Sequence, residues 1–264
     1  MLPAGAQKLT VEEVVARHLD AIGSAEARKS VKSRNALGAV TVVLRLGGTG
    51  TVGGKSQLLS EGQKMRMAYA FDTLDYPGEE IAFNGEDVSV GWVRPGQRSP
   101  LSAFLLSYDT IVREGLLGGV LSTSWPLLER EARQPKLEYS GLKKIEGKQL
   151  HEVKYRARKG QSDLQISLYF DPETFRHVRT QYKLVRSAVM ASDPTLSSAQ
   201  QDTRYTLTEV FDKFKETDGL TLPTWTSLDL TIEGQSTTIM THWTFTVTSI
   251  AHNLPVNPDS FTVR

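Results

Sequence analysis

The apolar positions of this chain follow a helical period near its start and a two-residue period over most of the remainder. Thr10 precedes the first periodic stretch and Glu13 lies three residues further on, which is the spacing of a capping box. Gly23 is suited to end that helix, and Ser24 to begin a short second one. The apolar stripe that predicts the first helix consists of Val11, Val14, Val15, Leu19 and Ile22.

From residue 36 onward, apolar and polar side chains alternate, which is the period of a β-strand with one buried face. Segments 64–71, 163–171 and 236–249 show this alternation most clearly. In the last of them, Trp243 and Phe245 share one face, whereas His242 falls on the other. Turn-forming pairs such as Asn-Gly and Asp-Gly separate many of the runs. About ten such strands joined by short turns predict a large antiparallel sheet.

One apolar segment, residues 99–131, breaks this rhythm because glycines and a proline divide it into short pieces. Ser99 followed by Pro100 is a favourable start for a helix. The order along the chain is therefore helix, strands, helical insert and strands, without a linker between them. We predict a mainly β protein of the α+β class, with one domain over residues 9–264 and a flexible tail or signal-peptide remnant at residues 1–8.

Charge and composition narrow the classes of function. The 264 residues carry 31 basic and 30 acidic side chains, a net charge of +1, which gives no indication of a nucleic-acid partner. The absence of cysteine excludes disulfides, thiolate catalysis and cysteine-ligated zinc. No apolar run reaches the ~20 residues that a transmembrane helix needs. Ala4, Gly5 and Ala6 form the small-x-small pattern of a signal-peptidase site, which indicates export unless residues 1–8 are simply a tail.

A glycine-rich stretch after the first predicted strand has the spacing of a dinucleotide fingerprint at Gly48, Gly50 and Gly53. The residues around it argue against a nucleotide site. A P-loop requires glycine at the position of Thr49, and a Rossmann turn must lead into a helix, whereas a strand pattern follows here. We expect a flexible hairpin connection in which the glycines supply positive φ angles, and no bound nucleotide.

The residues that most often carry chemistry form no recognisable constellation. The five histidines lack the spacing of metal ligands, and no nucleophile motif is present. We expect no metal, no cofactor and no assigned catalytic residue, although carboxylates that are distant in sequence can meet in space.

Two groups of residues have both a structural and a functional interpretation. Lys154, Arg156 and Arg158 alternate along one strand and form either a solvated face or a docking patch for anionic lipid or a partner protein. Large apolar side chains on the strands and the insert form either ordinary core or the lining of an apolar ligand cavity, where methionine adapts to irregular ligands. The members of this predicted lining are Met65, Met67, Trp92, Phe104, Leu105, Trp125, Trp225 and Trp243.

Four segments together resemble a known superfamily. Residues 168–182 (LYFDPETFRHVRTQY) combine an apolar strand, an Asp-Pro-x-Thr turn and a basic returning strand. Residues 214–230 contain an Asp-Gly-x-x-x-Pro hairpin, and residues 250–263 an Asn…Pro…Phe tail. With the opening helix pair at residues 11–33, their order and spacing are similar to those of the LolA/LolB-like lipoprotein carriers.

This resemblance implies a single, strongly curved antiparallel sheet that forms an incomplete β-barrel, with the helix pair and the insert at 99–131 covering its concave face. It also implies an apolar cavity for acyl chains, a lipid or acylated lipoprotein as partner, and a periplasmic location. The chain lacks the lipobox cysteine of the lipid-anchored members. No catalytic residue of the superfamily maps onto this sequence.

Three hypotheses about function remain open at this point. The first is a non-catalytic carrier or sensor of an acyl chain, with the insert as a lid or wall. The second is an enzyme on the same fold, which requires polar groups such as His242, Tyr69 or a carboxylate inside the cavity. The third is a protein–protein interaction module that uses the basic strand or the sheet edge.

Overall fold

The computed structural model describes residues 9–45, 49–160, 163–186, 202–234 and 237–263. The predicted tail at residues 1–8 lies outside this part of the chain. The first helix, α1 (Val11–Ile22), begins with the predicted capping box, in which the Glu13 backbone N–H donates to Thr10 Oγ1 over 3.2 Å. A second helix, α2 (Ala25–Ser30), follows and is capped by Ser24.

Among the described residues, twelve antiparallel strands form one sheet, so the predicted fold class is confirmed and the strand count exceeds the expected ten. The additional strands include two short ones, at Gly78–Phe83 and Val88–Val90. In chain order the strands are β1 (Ser33–Arg45), β2 (Thr49–Glu61), β3 (Lys64–Phe71), β4 (Gly78–Phe83), β5 (Val88–Val90), β6 (Lys136–Ile145), β7 (Lys148–Arg156), β8 (Gln165–Phe170), β9 (His177–Arg186), β10 (Thr203–Thr217), β11 (Leu220–Glu233) and β12 (Thr238–His252).

The spatial order of the strands is β5-β4-β3-β2-β1-β12-β11-β10-β9-β8-β7-β6. The first and last strands of the chain therefore pair at the centre of the sheet, for example Val42 with Trp243. Each half continues outward as a meander of neighbouring hairpins, and the sheet is not closed because β5 and β6 remain its two edges. This arrangement is an incomplete β-barrel.

The predicted insert connects the two edge strands. It contains three short helices, α3 (Pro100–Ser107), α4 (Thr110–Arg113) and α5 (Arg130–Arg133), and a 3-10 turn at Gly119–Leu121. Its apolar side chains join those of α1 and of the inward positions of the strands in one hydrophobic cluster. The insert therefore crosses from one edge to the other over the inner face of the sheet.

The glycine-rich stretch differs from the expected flexible connection. Gly50, Gly53 and Gly54 lie within β2 and pair with β1, without positive φ angles, whereas Gly48 lies outside the described residues. A side chain at Gly54 would place its Cβ 2.2 Å from the backbone oxygen of Ala70 on β3. Close approach between two strands, rather than turn geometry, explains this glycine. The strand expected after the stretch is present.

Candidate functional site

Six of the eight residues predicted to line a cavity lie together in the hydrophobic cluster between the sheet and the insert. Each is at most 5% exposed; they are Met65, Met67, Phe104, Leu105, Trp125 and Trp243. The structure does not bring Trp92 and Trp225 to them. Trp92 is 49% exposed and stacks under the Arg98 guanidinium at 3.9 Å, and Trp225 is partly buried on the opposite face of β11 from the core residue Leu228.

The insert supplies much of the apolar material that fills the inner face. Its contributions include several residues that are completely or almost completely buried, namely Leu101, Leu105, Ile111, Val112, Leu116, Leu117 and Leu121. Five of the pockets among the described residues are lined by none of the eight predicted cavity residues. In this conformation Phe104, Leu105 and Trp125 of the insert share one hydrophobic cluster with Met65, Met67 and Trp243 of the sheet.

Hydrogen bonds between buried polar groups connect the insert to separate parts of the sheet. Glu79 on β4 accepts hydrogen bonds from Ser99 Oγ (2.7 Å) and Ser102 Oγ (2.8 Å) of α3. Tyr76 donates to the same carboxylate over 2.5 Å and itself accepts from Trp243 Nε1 over 3.0 Å. Burial raises the pKa of Glu79, and these hydrogen bonds oppose the rise.

A second buried carboxylate, Glu209 on β10, holds the middle of the insert. It accepts from the Gly118 backbone N–H over 2.7 Å and from the Tyr182 hydroxyl over 2.9 Å. Burial raises the pKa of Glu209 to about 7, although both hydrogen bonds favour the charged form. This carboxylate therefore titrates near neutral pH while it is in contact with the insert.

On β1, the buried Arg34 forms a third connection to the insert. Its Nη1 donates to the Val120 carbonyl oxygen over 2.6 Å, and its Nε donates to His252 Nε2 over 3.0 Å. His252 in turn contacts Asp218 through Nδ1 at 2.8 Å. Burial lowers the pKa of Arg34 to about 10, which leaves the guanidinium charged at neutral pH.

Two buried histidines surround Trp125 of the insert. Trp125 Nε1 donates to His18 Nε2 over 3.1 Å, and the other ring nitrogen of His18 lies 3.1 Å from the Phe175 carbonyl oxygen. The ring of His177 stacks on Trp125 with centroids 4.5 Å apart. Burial lowers the pKa of His18 to about 4 and that of His177 well below its usual value, so both rings are neutral at pH 7.

The predicted docking residues Lys154, Arg156 and Arg158 are all exposed. Lys154 Nζ lies 3.6 Å from Glu138, and Arg158 Nη1 donates to Gln134 Oε1 over 3.0 Å. Lys154 and Arg156 also line a groove of about 660 Å³ at the β6 edge of the sheet, next to apolar side chains such as those of Leu137 and Ile166. A partly apolar surface with a basic rim lies there.

His242 is on the outer face of the sheet, away from the insert. Its Nδ1 lies 2.5 Å from Asp229 Oδ1, and its Nε2 lies 3.0 Å from Thr244 Oγ1. None of the five pockets includes these three residues. The enzyme hypothesis places His242 inside the cavity. The structure places His242 outside, because side chains alternate along β12 and Trp243 points inward.

The sequence interpretation missed the polar residues that hold the insert: Arg34, Glu79, His177 and Glu209 are all buried. For Glu209 and Arg34, the alternating pattern of their strands already predicts an inward position. Glu209 shares the face of Leu207 and Phe211 on its strand, and Arg34 shares that of Ala36. A charged residue at an inward position requires a partner inside the protein, so its presence in the pattern indicates a polar contact within the core.

No three His, Asp or Glu side chains in the described part of the chain are grouped so that they could hold a metal ion. No helix there is long and apolar enough to cross a membrane.

The open sheet, the helix pair and the covering insert define a class of incomplete β-barrel with a helical cover. Several solved structures are similar to the chain over nearly its whole length. They include a LolA superfamily protein from Nitrosomonas europaea (13% identity, 97% of this chain and 98% of that one, TM-score 0.49). A domain assigned to outer membrane lipoprotein sorting in Vibrio parahaemolyticus matches with 9% identity, coverage of 96% and 97%, and a TM-score of 0.46.

A DUF1329 family protein from Desulfovibrio piger is also similar, with 10% identity, coverage of 95% and 96%, and a TM-score of 0.44. No family model matches the chain, and no curated protein matches it significantly. Two of these structures have titles with the terms that the sequence motifs suggest, LolA superfamily and lipoprotein sorting. At these identities and TM-scores, the similarity carries no argument about ligand or function.

Proposed function

We propose that this protein is a non-catalytic periplasmic carrier or sensor that binds the acyl chain of a lipid or lipoprotein between the inner face of its sheet and its insert. The observation that carries the proposal is the way the inner face is covered. Twelve strands present one apolar surface, and the covering is a chain of short helical pieces rather than a second sheet or a long helix. The six buried residues of the predicted lining contribute to both sides of this contact.

The short helices of the insert depend on their packing against the sheet. α3 has 8 residues and α4 and α5 have 4 each, whereas an isolated helix of fewer than about 12 residues is marginal in water. The polar contacts of Glu79, Glu209 and Arg34 hold the insert at separate points. An insert built in this way has no stable fold of its own to lose. It can therefore detach from the sheet one segment at a time.

Displacement of the insert exposes apolar surface on both sides, and an acyl chain can cover that surface. Each methylene transferred from water contributes about 0.8 kcal/mol, before the cost of association is subtracted. Met65 and Met67 on β3 suit such an exchange because the unbranched thioether side chain adapts its shape to its neighbours. A carrier and a sensor both need this binding step.

The direct test is native mass spectrometry of gently purified protein, followed by organic extraction and lipid analysis. We expect a stoichiometric lipid in the purified protein, or a thermal shift when fatty acid or phospholipid is added. A ligand-free mass together with an unchanged melting temperature across both lipid classes would contradict the proposal.

A reversible cross-link between insert and sheet tests the mechanism. Thr123 of the insert donates its backbone N–H to Ser60 Oγ on β2 over 2.9 Å, and the chain has no native cysteine to interfere. In the double variant Ser60→Cys, Thr123→Cys, oxidation should block uptake of a fluorescent fatty acid because the insert cannot leave the sheet. Reduction should restore uptake to the level of the single variant Ser60→Cys, which serves as control. Equal uptake by the oxidised and reduced forms would rule out entry through this side of the insert.

We also propose Lys154, Arg156 and Arg158 as a docking patch for an anionic lipid surface or a partner protein. Their exposure and the groove beside them support this use. The double reversal Arg156→Glu, Arg158→Glu should weaken binding to phosphatidylglycerol vesicles about tenfold at low salt. The exposed pair Lys183→Glu, Lys215→Glu carries the same charge change elsewhere and should have a smaller effect. Equal losses in the two double variants would indicate net charge rather than a patch.

A further inference from the structure

A small pocket lies where the end of α1, α2, the start of β1, the insert and the β10–β11 turn meet. Its volume is about 230 Å³. Four of the lining residues are cationic and one is acidic, Glu129. The cationic residues are Arg28, Lys29, Lys32 and Arg34. The pocket is therefore strongly positive in a protein whose overall net charge is only +1.

The positive charges of this pocket are not neutralised by the described residues. None of the four cations has a carboxylate oxygen within 4.0 Å in that part of the chain. Glu129 is engaged elsewhere, because Gln63 donates to it over 2.8 Å and Arg133 Nε lies 3.8 Å from it. Charges of one sign that line a concavity attract an ion of the opposite sign.

The side chain of Arg34 is almost completely buried, at 3% exposure. A buried charge without a counter-charge is costly. Two of its nitrogens donate to neutral acceptors, the Val120 carbonyl and the His252 ring, and Asp218 reaches it only through that ring. Its third nitrogen, Nη2, has no hydrogen bond to any described residue. A guanidinium with unused N–H groups at a positive pocket is suited to an oxyanion.

The rest of the lining is apolar and comes from several elements: Ile22, Val31, Val120, Leu128 and Leu220. Such a pocket fits an amphiphile better than a fully hydrated ion. Val120 and Leu128 belong to the insert, whose other apolar residues fill the inner face of the sheet. The pocket therefore adjoins the proposed path of an acyl chain.

We propose that this pocket binds a phosphate group, and that this phosphate belongs to the headgroup of the lipid whose acyl chain enters under the insert. As a headgroup site the inference rests on the proposed function. As a phosphate site it stands on the four cations, which have no carboxylate partner among the described residues, and on the unused Nη2 of Arg34. One nitrogen of Arg28, Nη1, is already engaged, because it donates to the Leu19 and Gly23 carbonyl oxygens at the end of α1. Arg34 and Arg28 form the inner part, and the exposed Lys29 and Lys32 form the rim.

Titration calorimetry with three monomeric probes separates these cases: inorganic phosphate, a short-chain phosphatidylglycerol and a short-chain phosphatidylcholine. At low ionic strength, phosphatidylglycerol should bind about tenfold more tightly than phosphatidylcholine, and inorganic phosphate should compete with it. The double variant Lys29→Gln, Lys32→Gln should lose most of that preference. Because both lysines are exposed, this variant tests the site even if Arg34→Gln fails to fold. The matched control is Lys143→Gln, Lys144→Gln, two exposed lysines of β6.

The outcomes distinguish the two proposals. Binding of phosphate without binding of either lipid supports the anion site as one for free phosphate and overturns lipid carriage. Equal binding of the two lipids without binding of phosphate overturns the anion site and leaves lipid carriage supported. Equal losses in the two double-lysine variants overturn the assignment of the site to this pocket, and no binding of any probe overturns both proposals.

Discussion

Glu209 occupies a position on β10 where the alternating pattern places an apolar residue, between Leu207 and Phe211 on the inner face. Its carboxylate is kept there by the backbone of Gly118 and the hydroxyl of Tyr182. The cost of burial appears as a pKa raised to about 7. Ionisation of this one residue therefore makes the contact between β10 and Gly118 of the insert depend on pH near neutrality.

The sign of this dependence follows from the pKa difference between the folded and unfolded states. The folded protein keeps the Glu209 proton up to about pH 7, whereas the ordinary pKa is 4.5, so this residue's contribution to stability falls as pH rises through that window. Glu209→Gln keeps the shape and removes the titration. Its stability relative to the wild type should therefore increase by on the order of 3 kcal/mol between pH 4.5 and pH 8.

Urea unfolding at several pH values measures this difference. Glu216→Gln, at an exposed position of the same strand, is the control and should follow the wild type at every pH. The other buried groups, including His18 with its lowered pKa, are common to all three proteins and cancel in the comparison. Parallel curves for Glu209→Gln and the wild type would show that the carboxylate has the same pKa in the folded and unfolded states, which would contradict the raised pKa.

At the scale of elements, the insert follows the sheet closely because glycine allows its backbone to approach. Gly118 and Gly119 have φ angles of 81° and 51° at the start of the 3-10 turn. A Cβ at Gly119 would lie 2.8 Å from Phe211 Cζ on β10 and 3.0 Å from His177 Nδ1 on β9. The positive φ angle and these close distances both disfavour a side chain at Gly119. Glycine at this position therefore allows the insert to lie close to β9 and β10.

Gly119→Ala should therefore destabilise the protein by about 3 kcal/mol, from the left-handed backbone and from overpacking together. Gly141→Ala is a matched control, because Gly141 also has a positive φ, 84°, but has nothing within 4 Å of the added Cβ. Gly141→Ala should lower the free energy of unfolding by only about 1 kcal/mol, the cost of the left-handed backbone conformation. Chemical unfolding of both variants measures the two costs. If they are equal, the close approach of the insert is not a constraint.

For the whole molecule, the pairing of β1 with β12 joins the two halves of the chain. One hydrophobic cluster includes residues from α1, the insert and strands of both halves. Neither half has a separate core in the described residues, so we expect the halves to unfold together. The single domain over residues 9–264 stays a prediction, and cooperative unfolding is its test.

Urea unfolding followed by far-ultraviolet circular dichroism and by tryptophan fluorescence tests this expectation. The two signals should give one transition with the same midpoint, because Trp125 of the insert and Trp243 of the central strand share the same cluster. Trp92→Phe should leave the midpoint of the fluorescence transition nearly unchanged, since Trp92 is half exposed. Separate midpoints for the two signals would indicate that the insert or one half of the sheet unfolds independently.

The sequence by itself determined the local elements, because their causes are local. The capping box at Thr10 and Glu13 and the alternation in Lys64–Phe71 depend on neighbouring residues, and both occur as predicted. The breaks in the insert follow from its glycines and from Pro126. The inward position of Trp243 relative to His242 is likewise a consequence of strand geometry.

Only the tertiary structure decided which distant residues meet. Glu209 lies 91 positions from Gly118, and Arg34 lies 86 positions from Val120, so no local period could join them. Alternation also assigns Trp225 to one face of its strand without stating which face the insert covers. These outcomes depend on the order in which strands pair and on the path of the insert, and both are set by non-local packing.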